Sequence, residues 1–155
     1  MLIIIDTLTM NFKTYFQETT KANGDLKKTL GKIPKAHRKL AAGYKFVYQD
    51  GNALKGDVEN IGETDKDKKI ITVAAPWNYG REYTTLHEIA HLVWENLMCR
   101  KLRKQWQTII QQTKHKQNQG GEELFCMAYA NTYAKNKIEI HTHPSWERFI
   151  RDLPR

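Results

Sequence analysis

The stretch His87-Glu88-Ile89-Ala90-His91 constrains this chain more than any other, because it sets three ionisable side chains inside a segment that has to be buried. From Tyr83 to Met98 the residues are apolar on most sides of a helix, which is the pattern of a core helix. Two imidazoles and a carboxylate are costly there unless they are paired or hold an ion. Their spacing suits an ion. Residues i and i+4 project from one helix face, so both rings can reach a single Zn²⁺ at about 2.0–2.1 Å. Glu88, rotated by about 100° from His87, is not a ligand but can sit over the ion's open position and take a proton from water.

H-E-x-x-H on a helix is the arrangement of zinc-dependent peptidases, and the third ligand decides which kind. A Gly and a His shortly after the motif, as metzincins need, are absent, since Leu92, Val93, Trp94, Glu95, Asn96, Leu97 and Met98 follow. Glu95 lies two turns from His87 and too far along the axis to share a tetrahedral site. No acid lies between Glu95 and Glu122. The residues themselves leave Glu122, Glu123, His115, His141 and His143 as candidates.

Glu122 and Glu123 open a helix-like segment running to Lys135, preceded by the breaker Gly120-Gly121. Within it, Glu123-Leu124-Phe125-Cys126-Met127-Ala128-Tyr129 resembles the glutamate helix of the anthrax-lethal-factor-like gluzincins. In that family an acid, two bulky apolar residues, small residues and an aromatic supply the third zinc ligand. The segment His143-Pro144-Ser145-Trp146-Glu147-Arg148-Phe149-Ile150 is similar to the family's closing helix. Ile33–Leu40 and Tyr44–Tyr48 look like its earlier helix and first strand. The resemblance spans roughly Ile33 to Leu153, with only the histidine motif and the Glu123 helix specific to it. It implies that His87, His91 and Glu123 hold Zn²⁺, with Glu88 as general base.

Two positions depart from the family pattern. Met127 stands where a second acid is common, and Lys116 where a tyrosine donates to the oxyanion. Tyr129 and His143 are the substitutes adopted for that catalytic role, with Tyr133 and His115 as further options. Each has a plainer use: Tyr129 and Tyr133 as core aromatics, His141 and His143 as a cap before Pro144. His37, among Lys35, Arg38 and Lys39, reads as a solvated helix residue.

At 155 residues, one domain over 1–155 is expected, large enough for a core without disulfides. The fold class expected is α+β: a compact zincin-like domain with a small mixed sheet packed on the histidine helix and the glutamate-bearing helix. Cys99 and Cys126 lack zinc-cluster spacing and read as small apolar residues in a reducing compartment. Met1–Asp6 is too short an apolar run for a leader or a membrane span, so a cytoplasmic location, no membrane and a monomer are expected. Asn11–Thr20 reads as a short helix, and Asp25–Leu40 as helical with breaks at Gly31 and Pro34. Tyr44–Tyr48 is a strand, Gly56–Lys68 a loop or hairpin, and Lys69–Ala75 the strongest strand. Such a strand, directly before the metal helix, is expected to border the cleft where a peptide adds, with Trp77 and Tyr79 as wall candidates.

The net charge of +8 and the pI near 9.5 raise the question of an acidic partner. Six Lys or Arg and no acid fall between Arg100 and Lys116, interleaved with Leu102, Trp106, Ile109 and Ile110. That is an amphipathic helix with a basic outer face, able to draw nucleic acid or an acidic protein. No helix-turn-helix, zinc finger or RNA-binding signature accompanies it. The function expected is therefore a zinc endopeptidase acting on protein or peptide substrates through metal-activated water. The alternative is a basic nucleic-acid- or protein-binding module on the same scaffold.

Overall fold

The computed structural model describes residues 25–50, 62–75, 80–113, 121–135 and 143–155. Among them the chain is α+β, with six helices and a three-stranded mixed sheet packed against the histidine helix. Helix α1 covers 25–30, and a turn at 31–33 separates it from α2 (Lys35–Ala41). Pro34 occupies the N-cap of α2, where a missing N–H costs nothing. The break therefore falls where Gly31 and Pro34 predict it. Asn11–Thr20, Trp77, Tyr79, His115 and His141 lie outside the described residues.

Strands β1 (Lys45–Asp50), β2 (Gly62–Asp65) and β3 (Ile70–Ala75) form a sheet in the order β1-β3-β2. β1 runs parallel to β3, and β2 antiparallel to it through a turn at 66–69 in which the Lys68 amide donates to Asp65 Oδ1 at 2.9 Å. The alternation of β3 buries Ile71 and Val73 completely, while Thr72 between them is only partly covered. β3 is thus the central strand. Among the described residues β2 is the edge strand that lies against the histidine motif, and Lys69–Ala75, expected to border a peptide cleft, is flanked by β1 and β2. A strand flanked on both sides cannot offer its main chain to a peptide.

Helix α3 (Gly80–Leu97) carries the motif and is buried from Tyr83 to Ala90 without interruption. Gly80 starts it at φ +68°, a left-handed conformation that a side chain would strain, and the Thr84 hydroxyl donates to its carbonyl at 3.2 Å. At the other end Arg103 donates to the carbonyls of Met98 (2.7 Å) and Trp94 (3.1 Å), groups that a helix terminus leaves without partners. Its guanidinium also lies over the Trp94 ring, 5.0 Å from the centroid.

Helix α4 (Arg100–Gln112) has the expected amphipathic character. Trp106 is fully buried, Leu102, Ile109 and Ile110 are half-buried, and Arg100, Lys101, Arg103 and Lys104 are exposed. Trp106 sets the next helix, α5 (Gly121–Tyr133). Its indole N–H donates to the Gly121 carbonyl at 2.8 Å, and its ring meets Phe125 edge-on at 5.8 Å. Anchoring Gly121 fixes where Glu122 and Glu123 begin. Helix α6 (Pro144–Arg151) closes the core with Trp146 and Ile150.

His37 is not solvated. It is 0 % exposed, with Nε2 2.8 Å from the Pro154 carbonyl and Nδ1 2.8 Å from the Tyr129 hydroxyl. The surrounding charges of α2 point outward, and the i+4 neighbour Ala41 shares the buried face with it. No helix among the described residues is long and apolar enough to cross a membrane.

Candidate metal centre

The motif histidines meet helix α5. His87 Nε2 lies 3.3 Å from Glu123 Oε2, and His91 Nε2 lies 3.4 Å from Glu123 Oε1. Metal–ligand bonds of about 2.0–2.1 Å in a tetrahedron put neighbouring donor atoms about 3.3–3.4 Å apart. Each imidazole nitrogen therefore stands at a ligand-to-ligand spacing from one oxygen of the Glu123 carboxylate, His87 from Oε2 and His91 from Oε1. A plain ion pair needs only one of the two contacts.

Glu122, the neighbouring acid, turns to the other side of the same ring. Its Oε1 is 2.8 Å from His91 Nδ1, and the carboxylate acts there as acceptor for an Nδ1–H. That bond selects the tautomer whose Nε2 lone pair faces Glu123, the usual way an outer carboxylate orients a ligating histidine. The two consecutive acids divide the work because successive helix residues diverge by about 100°. His87 Nδ1 is buried and has no hydrogen-bond partner among the described residues.

Glu123 is half-exposed, so the group opens to solvent on its side. Its hydrogen bond to His87, opposed by burial and reinforced by the charges of His87 and His91, holds its carboxyl below the ordinary range. His87, His91 and Cys126 form a group that could hold a metal ion, their ligand atoms lying within 4.8 Å of one another. Cys126 comes one turn after Glu123 and is fully buried. Burial, then the nearby carboxylates of Glu123, Glu122 and Glu88, pushes its thiol well up. Its membership of the group is not apparent from cysteine spacing, because its histidine partners come from another helix.

Glu88 faces β2. The Thr64 hydroxyl donates to Glu88 Oε2 at 2.8 Å, and a Cβ built on Gly62 would stand 2.5 Å from Oε1 and 2.8 Å from Cδ. Gly62 is therefore the residue that lets the carboxylate lie against the strand. Burial raises the Glu88 pKa, opposed by the charge of His87 and the Thr64 hydrogen bond. Gly62 and Thr64 escape sequence reasoning; they sit in a polar run, and only the alternation Gly-Glu-Thr-Asp hints that both face one way.

The structure does not bring Tyr129 or His143 to this group. The Tyr129 hydroxyl is taken by His37, its side chain is fully buried, and burial followed by Tyr133 pushes its phenol well above the ordinary value. His143 is exposed and caps α6, its Nδ1 accepting from the Ser145 amide at 3.2 Å. Capping is the plainer use that Pro144 suggests. Tyr133 packs against Tyr129 with the rings tilted by 57°, and lies under Arg151.

Comparison of the chain with protein-family models, curated proteins and solved structures gives no match.

Proposed function

We propose that this chain is a zinc-dependent endopeptidase of the gluzincin type, in which His87, His91 and Glu123 hold the ion. The observation that carries the reading is the approach of both Nε2 atoms to the Glu123 carboxylate, at 3.3 and 3.4 Å from its two oxygens, with Glu122 orienting one ring from behind. Two nitrogens and a carboxylate oxygen, open on one side, suit catalytic zinc. When bound, zinc supplies a Lewis acid for the scissile carbonyl and brings the pKa of a coordinated water down to about 7.

The chain's own residues handle the proton. Glu88 has its Oε2 held by Thr64, which leaves Oε1 to take a proton from the attacking water and return it to the departing amine. Burial raises its pKa, and a carboxylate so raised binds the transferred proton better than an exposed one does. Among the described residues β2 lies at the sheet edge beside this carboxylate, so an extended peptide adding to it as a further strand passes the general base.

Incubation of the zinc-loaded protein with a mixed peptide library, followed by mass spectrometry of new N-termini, tests the proposal. Cleavage that a chelator abolishes and zinc restores is expected. A library left intact by the zinc-loaded protein contradicts it.

A further inference from the structure

We infer that Cys126 is a latent ligand of the same centre, recruited by thiophilic ions. The chain then carries two overlapping coordination sets that share His87 and His91. One is the open set completed by Glu123. In the other, the Cys126 thiolate joins both imidazoles and Glu123 and closes the site from the protein interior. The inference rests on the metal-centre reading above, since it takes both histidines as ligands.

Three observations support it. Cys126 follows Glu123 by three residues on α5, so the two side chains share the helix face turned toward α3. Its ligand atom and those of the two histidines lie within 4.8 Å of one another, although 35 or more residues of chain separate the thiol from either ring. His87, a member of this group, is only 8 % exposed and keeps a buried nitrogen without a partner among the described residues. The group is therefore largely enclosed, only His91 among its three members being part-buried.

Bonds of about 2.3 Å to sulfur and 2.0–2.1 Å to nitrogen place sulfur and nitrogen about 3.5 Å apart in a tetrahedron. The three ligand atoms lie within 4.8 Å of one another, so at most a modest side-chain rotation brings the thiol to that spacing. The softness of the ion decides whether the thiol is taken. An ion that prefers carboxylate and imidazole leaves Cys126 protonated. A thiophilic ion such as Cd²⁺ draws it in. On recruitment the S–H bond breaks, a sulfur–metal bond forms and the proton passes to buffer, with no change of oxidation state. Glu123 and Cys126 together then fill four protein positions with the two histidines. That is the count of a closed, non-hydrolytic site.

Spectroscopy of the metal-substituted full chain, kept reduced with a phosphine, separates this inference from the peptidase reading. With Cd²⁺, the wild type is expected to show the near-ultraviolet thiolate-to-metal charge-transfer band, which Cys99→Ser retains and Cys126→Ser lacks. Cys126→Ser should also lose more Cd²⁺ affinity than the roughly 10–100-fold typical of an outer-shell change, while binding Zn²⁺ nearly as before. Visible d–d bands of the Co²⁺-loaded Cys126→Ser protein show that its remaining site is assembled. Absence of the Cd²⁺ band in the wild type, or its persistence in Cys126→Ser, overturns the Cys126 assignment and leaves the Glu123 site standing. Failure of the wild type to bind either ion overturns both.

Discussion

The hydroxyl of Thr64 donates to Glu88 across 2.8 Å, tying a strand at the edge of the described sheet to the acid of the histidine motif. With Gly62 two residues earlier allowing close approach, β2 forms the seat of the acid proposed as general base. In the proposed reaction the sheet takes part without contributing a metal ligand.

Gly62→Ala is expected to displace the Glu88 carboxylate, because the new methyl group would fall within 2.5 Å of Oε1. Zinc stoichiometry should stay unchanged, while kcat falls about 100-fold, the scale of a displacement of about 1 Å in a catalytic group. Thr64→Val removes the hydrogen bond without adding bulk and should cost less, about tenfold. Peptide turnover measured beside metal content checks both; loss of metal in Gly62→Ala would contradict the assigned role.

Glu122 and Glu123 should separate cleanly. Glu123→Ala removes a ligand and is expected to release zinc, whereas Glu122→Ala removes the acceptor behind His91 and should weaken zinc binding by about 10–100-fold. Competition titration with a chromogenic chelator measures both. Reversal of the order would transfer the ligand role to Glu122.

His37 predicts a pH dependence of stability away from the metal centre. A carbonyl can only accept, so Nε2 carries the hydrogen toward Pro154 and Nδ1 accepts from the Tyr129 hydroxyl. Burial lowers the His37 pKa below its ordinary value, opposed by the Pro154 carbonyl. Between the depressed folded value and about 6.5 the unfolded chain binds a proton that the native chain does not, so stability falls as pH drops through this window and is complete above it. Urea unfolding at about pH 7.5 and about pH 5.5 should show a smaller acid loss in His37→Gln than in the wild type. Tyr129→Phe leaves Nδ1 buried without its donor and should cost about 1–3 kcal/mol at neutral pH.

Much of this architecture is legible in the sequence where pattern is local. The histidine helix, the breaks at Gly31 and Pro34, the strand at Lys69–Ala75 and the helix opened by Glu122 and Glu123 follow from periodicity and breakers. What sequence reading misses depends on which element lies opposite. His37 looks solvated because its neighbours are charged, yet its own face packs under Tyr129. The polar run 56–68 reads equally as loop or hairpin, and its stretch Gly62–Asp65 pairs as β2 with the apolar β3 beside it. The thiol of Cys126 joins the histidines only through the packing of α5 on α3.

The most direct test of the central claim compares wild type with Glu88→Gln, both reconstituted with zinc, on the same mixed peptide library. Equal zinc content with cleavage reduced by at least about 100-fold is predicted, since general acid–base groups contribute roughly 10²–10⁴-fold. Equal cleavage by the two proteins at equal zinc content would contradict the account.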